Sequence, residues 1–172
     1  MNKVMRHDIA DYLNIAKTGT TEEYVLMGTG FKTLDESPGA SVEKEAFISD
    51  RSKTASVDGY EPSFAFDSYL LKDEKAIMDL YGVGRNQLTG IDAERDIVRA
   101  DIYDPVVAGT PNVVKARKIR VSVEISDCSG EGAKAVSVKG NLNQVGDIIQ
   151  GKFDTTTRAF TADTNVTTPP IK

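Results

Sequence analysis

The sequence is poor in the residues on which most enzyme chemistry depends. Its 172 residues include one cysteine, one histidine and no tryptophan. A single cysteine excludes an internal disulfide and a cysteine-based zinc cluster, and a lone thiol fits a reducing compartment such as the cytoplasm. A Cys–His or Ser–His–Asp mechanism would have to use His7, which lies close to a terminus. We predict no catalytic role for His7 or for Cys128, because Cys128 lies in a turn-rich stretch without a cation to activate its thiol.

Long apolar runs and an excess of positive charge are also missing. No apolar run approaches about 18 residues, so the sequence contains no candidate transmembrane helix. Residues 1–17 carry charges throughout, which predicts that they are not a secretory signal. The 26 acidic and 21 basic side chains give a net charge of −5. This balance argues against a protein that binds nucleic acid through a broad basic face.

Alternating apolar and polar residues predict a mainly β protein. The cleanest half-buried strand is 117–125, in which Ile119, Val121 and Val123 alternate with polar residues. Turn residues rather than helices separate the strands, which excludes a doubly wound α/β sheet. The predicted fold is therefore an antiparallel β-sandwich or curled half-barrel with one short α-helix and long loops. The other predicted strands are 24–27, 45–49, 54–58, 62–71, 96–103 and 135–142, with one strand or a hairpin at 148–160.

One helix is predicted at 73–81. Asp73 is a suitable N-cap, and Ile77, Leu80 and Tyr81 recur at helical spacing. Gly82 is predicted to end the helix.

The remaining segments divide the chain into a body and two ends. We predict an N-terminal arm over 1–20 with a short helical stretch at 8–16, a β-sandwich domain over 21–160 and a flexible C-terminal tail over 161–172. Two glycine-bearing segments, 82–94 and 28–44, are predicted to be long loops.

Several patterns hint at a chemical site, but none is complete. The stretch Gly28–Thr33 resembles a phosphate loop, except that Phe31 stands where the glycine before the lysine is required. The pair Gly82 and Gly84 lacks the third glycine of a dinucleotide fingerprint and follows a helix. The carboxylates form no calcium-binding ladder, although a paired-carboxylate hydrolase stays open because distances in space are not visible in a sequence. The basic cluster at 115–120 favours salt bridges or solvation over a nucleic-acid contact. We predict no catalytic residue, no cofactor and no metal.

The order of segments along the chain resembles the tail tube (major tail) proteins of long-tailed phages and prophages of Gram-positive bacteria. The more specific parts are 59–63 (GYEPS) and 140–147 (GNLNQVGD). The resemblance covers roughly residues 23–160 and includes 27–34, 43–48, the helix and 118–124. Members usually carry a tryptophan near the first strand, and Tyr24 takes that position here.

This resemblance implies a structural assembly rather than an enzyme. Such proteins form hexameric rings that stack into a hollow tube through which DNA passes, and the net negative charge suits a bore that DNA must not adhere to. The implied partners are further copies of the chain, tail initiator or baseplate and terminator proteins, a tape measure protein and transient non-specific DNA, with no membrane. The implied location is the virion tail, assembled in the host bacterial cytoplasm. Candidate bore-lining residues are Asp67, Asp101, Lys118, Arg120 and Glu124, and candidate inter-ring loop residues are Gly82, Gly84, Arg85 and Gly90.

Two other classes of protein stay open at this point. A carbohydrate-binding or adhesin-like β-sandwich would use exposed aromatic side chains to stack on sugars, but tryptophan is absent and aromatic residues total 7%. A small hydrolase would need carboxylate chemistry, since histidine and cysteine are single. Polymerisation at high concentration would distinguish a tube protein from both.

Overall fold

The computed structural model describes residues 2–16, 20–49, 51–106 and 109–163. Within these ranges one α-helix, α1, spans Lys75–Arg85, and short 3-10 helices span Arg6–Asp8 and Gly90–Ala93. The strands, β1 to β11 in chain order, are Ile9–Asn14, Tyr24–Leu26, Phe31–Ser37, Ala40–Glu45, Thr54–Tyr60, Ser63–Tyr69, Glu94–Pro105, Val113–Ser129, Ser137–Gln144, Ile149–Asp154 and Ala159–Ala162. The predicted mainly β, antiparallel fold with one short helix is confirmed.

The long strand β8 is the axis of the main sheet. The strand order is β2-β1-β7-β8-β9-β6-β3, and every pairing is antiparallel. The edge of β8 away from β7 divides between two partners: β9 pairs with 121–129, whereas β10 pairs with 113–118. The sheet therefore forks along β8, and β11 follows β10 on the second branch. Strands β4 and β5 form a separate two-stranded ribbon.

The two faces of the sheet bury two different cores. On one face Leu13, Ile97 and Ile119 pack with apolar residues of β6, β9 and α1. The other face holds a second core that includes Tyr12 and Phe153. The rings of these two residues lie 4.5 Å apart, although in a flat sheet three strand spacings of about 4.8 Å would separate β1 from β10. This branch of the sheet must therefore curl, as the predicted half-barrel requires.

Tyr24 lies in the second core, at the position where the resemblance implies an aromatic residue. Its ring meets Phe153 edge-on at a centroid distance of 5.7 Å. Burial, assisted by the nearby carboxylates of Glu22 and Asp96, raises the pKa of the Tyr24 hydroxyl. The neutral phenol thus stays part of the apolar core.

The helix is longer than predicted. It runs through Gly82 to Arg85, and its N-cap is Glu74 rather than Asp73. At Gly84 an added Cβ would lie 2.7 Å from the Cβ of Ile125, so the missing side chain is what lets α1 pack closely on β8. The prediction of a loop over 82–94 is therefore wrong, because α1, a 3-10 helix and the start of β7 occupy most of it.

The helical stretch predicted at 8–16 is also wrong. Residues 9–14 form β1, which pairs with β2 and β7 and so belongs to the sheet rather than to an arm. Tyr12 enters one core and Leu13 the other. A strand that is buried on both faces lacks the alternation that identifies strands in a sequence.

Smaller differences concern the loops and the C-terminal end. The segment 28–44, predicted as a loop, contains β3 and most of β4. The prediction of a strand at 45–49 is wrong, because β4 ends at Glu45 and residues 46–49 form no strand. The alternative of a hairpin at 148–160 is confirmed, with a turn at 155–158. Residues 161 and 162 of the predicted tail belong to β11, whereas 164–172 lie outside the described residues.

Candidate assembly surfaces

The ribbon formed by β4 and β5 extends the β3–β6 pair beyond the main sheet. Its root is fixed where the Glu61 amide donates to the Gly39 carbonyl at 3.0 Å. Gly39 has a φ of +61°, and an added Cβ would lie 2.2 Å from the Glu61 carbonyl oxygen. Only glycine fits this backbone, so the sequence sets where the ribbon leaves the sheet.

The ribbon is amphipathic. Its register places Val42 opposite Val57 and Ala40 opposite Tyr60, so these four side chains share one face. The exposed fractions are 52% for Val42, 55% for Val57 and 63% for Tyr60. The opposite face carries serine, threonine and glutamate. Because an isolated two-stranded hairpin is marginally stable in water, such a face indicates a surface that another molecule covers.

A network of buried and half-buried ion pairs, the clamp, holds the root of the ribbon. Arg99 on β7 donates from Nε to Asp11 Oδ1 at 2.6 Å and from Nη1 to Glu36 Oε2 at 2.7 Å. Arg117 on β8 donates from both terminal nitrogens to Glu36, each at 2.9 Å. The Arg99 guanidinium also lies 5.0 Å from the centroid of the Phe64 ring. The clamp therefore ties β3, immediately before the ribbon, to β1, β7 and β8.

The electrostatics of the clamp favour its charged form. Burial alone would favour a neutral Glu36, but hydrogen bonds from Arg117 and Arg99 hold the pKa of its carboxyl below the ordinary value. Burial likewise opposes the charge on Arg99, yet its bonds to Asp11 and Glu36 raise its pKa. Such a network is stable only while each member is present.

Four of the five candidate bore-lining residues lie on one side of the sheet, here named the polar face. On β8, Lys118, Arg120 and Glu124 point away from the core that contains α1, and Asp67 on β6 does the same. Cross-strand pairing of Glu124 with Asn141 and of Asp67 with Lys139 joins β8, β9 and β6 on this face. The fifth candidate, Asp101, lies on the other side of the sheet beside the clamp, where burial raises its pKa. The structure does not bring Asp101 together with the other four.

Charges on the polar face are paired. Arg120 Nε lies 2.7 Å from Glu94 Oε2, and Lys32 Nζ lies 2.7 Å from Asp67 Oδ1. Asn143 Nδ2 donates to Glu124 Oε2 at 3.0 Å. Lys118 contacts the carboxylates of Glu22 and Asp96. The face thus offers few unneutralised cations to a polyanion.

The candidate inter-ring residues do not form one loop. Gly82, Gly84 and Arg85 belong to the last turns of α1, and Gly90 begins a 3-10 helix with a φ of +59°. Sequence reasoning located one strand of the ribbon, predicted at 54–58, but placed its partner strand at 45–49 and assigned most of β4 to a loop. A signal for β4 was present, because Ala40 and Val42 alternate with Ser41 and Glu43 as in an exposed amphipathic strand.

Strands β2, β3 and β11 each pair on one side only among the described residues. Their outer edges carry backbone groups that can pair with a strand of another molecule. Such edges allow a curved sheet to continue from one subunit into the next.

The residues considered for chemistry lie apart from one another. His7 is exposed, with Nε2 3.5 Å from Asp8 Oδ1, and Cys128 is exposed on β8. Among the described residues, no group of three or more histidine, cysteine or carboxylate side chains is placed to hold a metal ion. The described part of the chain also contains no helix with the length and apolar character needed to span a membrane.

Comparison with solved structures shows that this fold is similar to the fold of tail tube proteins. No protein-family model matches the chain, and no curated protein matches it. The structure is similar to that of the SPP1 tail tube, determined by solid-state NMR and cryo-EM, with a TM-score of 0.66, 13% identity, and coverage of 90% of this chain and 83% of that chain. It is also similar to a chain in the tail of an empty GTA particle, with a TM-score of 0.55 and 10% identity over 93% of this chain and 100% of that chain. A chain of the native gene transfer agent virion gives a TM-score of 0.52 and 12% identity, with the same coverage. The chain has the fold of tail tube proteins.

Proposed function

We propose that this protein is the subunit of a phage-type tail tube, a structural protein without enzymatic activity. In this proposal it self-assembles into hexameric rings that stack into a hollow tube through which DNA passes. The observation that carries the proposal is the amphipathic ribbon, left exposed on a fold that is shared with the SPP1 tail tube over 90% of this chain. Six subunits per ring accord with the C6 symmetry of the GTA tail.

Ring closure follows from the open sheet edges. The main sheet is curved and ends in strands β2, β3 and β11, which pair on one side only within the described ranges. Pairing these edges between neighbouring subunits would join six sheets into one closed barrel and leave no edge exposed. The ring is then held partly by backbone hydrogen bonds.

The polar face is the surface that we assign to the bore. Asp67, Lys118, Arg120 and Glu124 lie on it. Carboxylates contact its two cations, a lysine contacts Asp67, and an asparagine amide contacts Glu124. A bore with paired charges and a net negative subunit, at −5, gives DNA few phosphate contacts, so DNA slides through. Asp101 is not assigned to the bore because it lies on the other side of the sheet.

The proposed contacts between rings and the proposed partners follow from assembly into a tube. The ribbon, together with the segment that contains Arg85 and Gly90, makes contacts between rings. Tail initiator or baseplate proteins and a terminator protein would bind the two ends of the tube, and a tape measure protein would occupy the bore before DNA does. The tube would form in the cytoplasm of a bacterial host, which the sequence resemblance suggests is Gram-positive, and function in the virion tail.

Negative-stain electron microscopy of the purified protein over a concentration series tests this proposal, with light scattering on the same samples. We expect stacked rings with a central hole and scattering that rises steeply with concentration. A protein that stays monomeric, even when a tail initiator complex is supplied, would contradict the proposal.

A further inference from the structure

The outer edge of β3 faces β1 across a cleft instead of a backbone ladder. Among the described residues β3 pairs only with β6, and a cleft of about 510 Å³ between β3 and β1 is lined by residues that include 9–11 and 31–34. The chain enters β3 close to β1, because the Met27 amide donates to the Asp11 carbonyl at 2.7 Å. The other end of β3, from which the ribbon continues, reaches β7 and β8 through the side chain of Glu36.

Arg99 contacts both strands of the β3–β6 pair at one level. Glu36 on β3 lies opposite Phe64 on β6. The Arg99 guanidinium donates to Glu36 at 2.7 Å and lies 5.0 Å from the centroid of the Phe64 ring. Arg99 and Phe64 are both buried. One buried cation on β7 therefore fixes the tilt of both strands relative to the body of the sheet.

This arrangement depends on the charge of one carboxylate. Arg99 and Arg117 lie directly opposite each other on β7 and β8, and like charges in this position repel each other. Glu36 accepts hydrogen bonds from both. Asp11 also contacts Arg99, but it is shared with Arg6, whose Nη2 donates to it at 2.6 Å. Neutralising Glu36 would therefore leave the two opposed guanidinium groups without the carboxylate that joins them, and would release the end of β3.

The length of the ribbon amplifies a change of tilt at the clamp. Ala40 and Tyr60 are the first pair of the ribbon, and each lies four residues along its strand from the Glu36–Phe64 pair. At about 3.3 Å per residue, the segment from Glu36 to Glu45 spans about 30 Å, so a rotation of about 10° moves its far end by about 5 Å. Apolar side chains are in contact only within about 4.5 Å, so a displacement of this size would break an apolar contact.

We propose that the clamp is a positioning device for assembly, in which Glu36 and Arg99 set the direction in which the ribbon leaves the subunit. Both residues act through the ribbon and contact no other subunit themselves. Neutralising Glu36 frees the ribbon from this direction while the body stays folded. This inference rests on the proposed tube function, and it makes assembly depend on ion pairs inside the subunit.

Spin labels on the unassembled subunit test the positioning. Cys128 is exposed on β8, so Ser56→Cys on the ribbon supplies the second label site. Double electron–electron resonance measures the distance between the two labels at a protein concentration below that of tube formation. Glu36→Gln should shift or broaden the distance distribution by about 5 Å or more. The control Leu80→Ala removes a buried side chain from α1 and none from the clamp, and should leave the distribution unchanged while lowering stability comparably.

Tube formation by the same variants, without labels, gives the second readout. Under conditions where circular dichroism shows both variants folded, Glu36→Gln should raise the protein concentration needed for tubes by about tenfold or more, and Leu80→Ala by less than about twofold. If Glu36→Gln does not fold, Arg117→Gln takes its place, because it removes two of the three hydrogen bonds that the arginines donate to Glu36.

The two readouts separate the failure of the clamp's role from the failure of the proposed function. An unchanged distance distribution in the clamp variant would overturn the positioning role. So would tubes that form at the wild-type concentration, or an equal loss of assembly in Leu80→Ala. If the wild-type protein forms no tubes, the proposed function fails and the role in assembly fails with it, whereas the label distances still decide whether the clamp directs the ribbon.

Discussion

The body of the sheet and the ribbon are both antiparallel β-structure, yet they are stabilised differently. In the body, Leu13, Phe64 and Ile97 are fully buried, and ion pairs close the gaps between strands. In the ribbon every residue of β4 is exposed, and so are all but one of β5. Under the proposed function, we expect the body to fold as a single subunit and the apolar face of the ribbon to be stabilised by a neighbouring subunit. Stability and assembly are assigned to different parts of one chain.

The largest expected difference is in the free energy of unfolding, when one phenylalanine in each region is replaced by alanine. Phe64→Ala should lower the free energy of unfolding by about 3–5 kcal/mol, because it opens a cavity in a packed core. Phe47→Ala, at the exposed tip, should change it by less than about 0.5 kcal/mol and yet reduce tube formation. Urea denaturation and electron microscopy of both variants are the measurements. Equal losses of stability in the two variants would abolish the distinction.

The clamp should show the next largest effect. Glu36→Gln leaves two arginines with a neutral partner and should cost about 3 kcal/mol near neutral pH. Because the pKa of Glu36 is lowered in the folded state, its contribution is present above the ordinary pKa of a glutamate and is lost as pH falls through the folded value. The difference in stability between wild type and Glu36→Gln should therefore shrink below about pH 4. A difference that stays constant between neutral and acidic pH would show that the carboxylate charge is not what stabilises the root of the ribbon.

Two glycines of α1 test how closely the helix packs on the body of the sheet. Gly84→Ala should cost about 1–3 kcal/mol, since the new Cβ would lie 2.7 Å from Ile125. Gly82→Ala meets no atom within 4 Å and should raise stability by about 0.5–1 kcal/mol through helix propensity. Thermal unfolding of both variants is the check, and equal effects would mean that 82–85 is the loop predicted from the sequence.

The smallest expected effect concerns Asp101. Burial raises its pKa, so the charged form is less stable in the folded chain than in the unfolded one. Asp101→Asn should therefore stabilise the protein slightly, by less than about 1 kcal/mol, at neutral pH. The gain should vanish below about pH 4, where the wild-type carboxyl is also protonated. A loss of stability at neutral pH would show that the neighbouring arginines dominate over burial.

The features that could be predicted from the sequence are those with a local pattern. The alternation of Ile119, Val121 and Val123 located β8, although the strand runs over 17 residues. Strand β1 could not be found in this way, because Tyr12 and Leu13 are buried on opposite faces and leave no polar side. The end of the helix was misplaced because Gly84 serves close packing and not termination.

The candidate assembly surfaces were harder to predict from the sequence than the fold. The clamp joins Glu36 to Arg99 across 63 positions of sequence, and nothing local to either residue indicates the other. The polar alternation did locate Lys118, Arg120 and Glu124 on one face, but the same rule could not place Asp101 relative to them, since strand pairing decides that. Contacts between segments that are distant in sequence could therefore be identified only from the structure.

Replacement of the ribbon by a short glycine turn tests the central claim most directly. Wild type and this variant would be compared by negative-stain electron microscopy over one concentration series, with urea denaturation of each as the measure of folding. The account predicts stacked rings with a central hole for the wild type, and for the variant a folded subunit of similar stability that forms no stacks. A variant that stacks as the wild type does, or one that no longer folds, would contradict the assignment of stability to the body and of assembly to the ribbon.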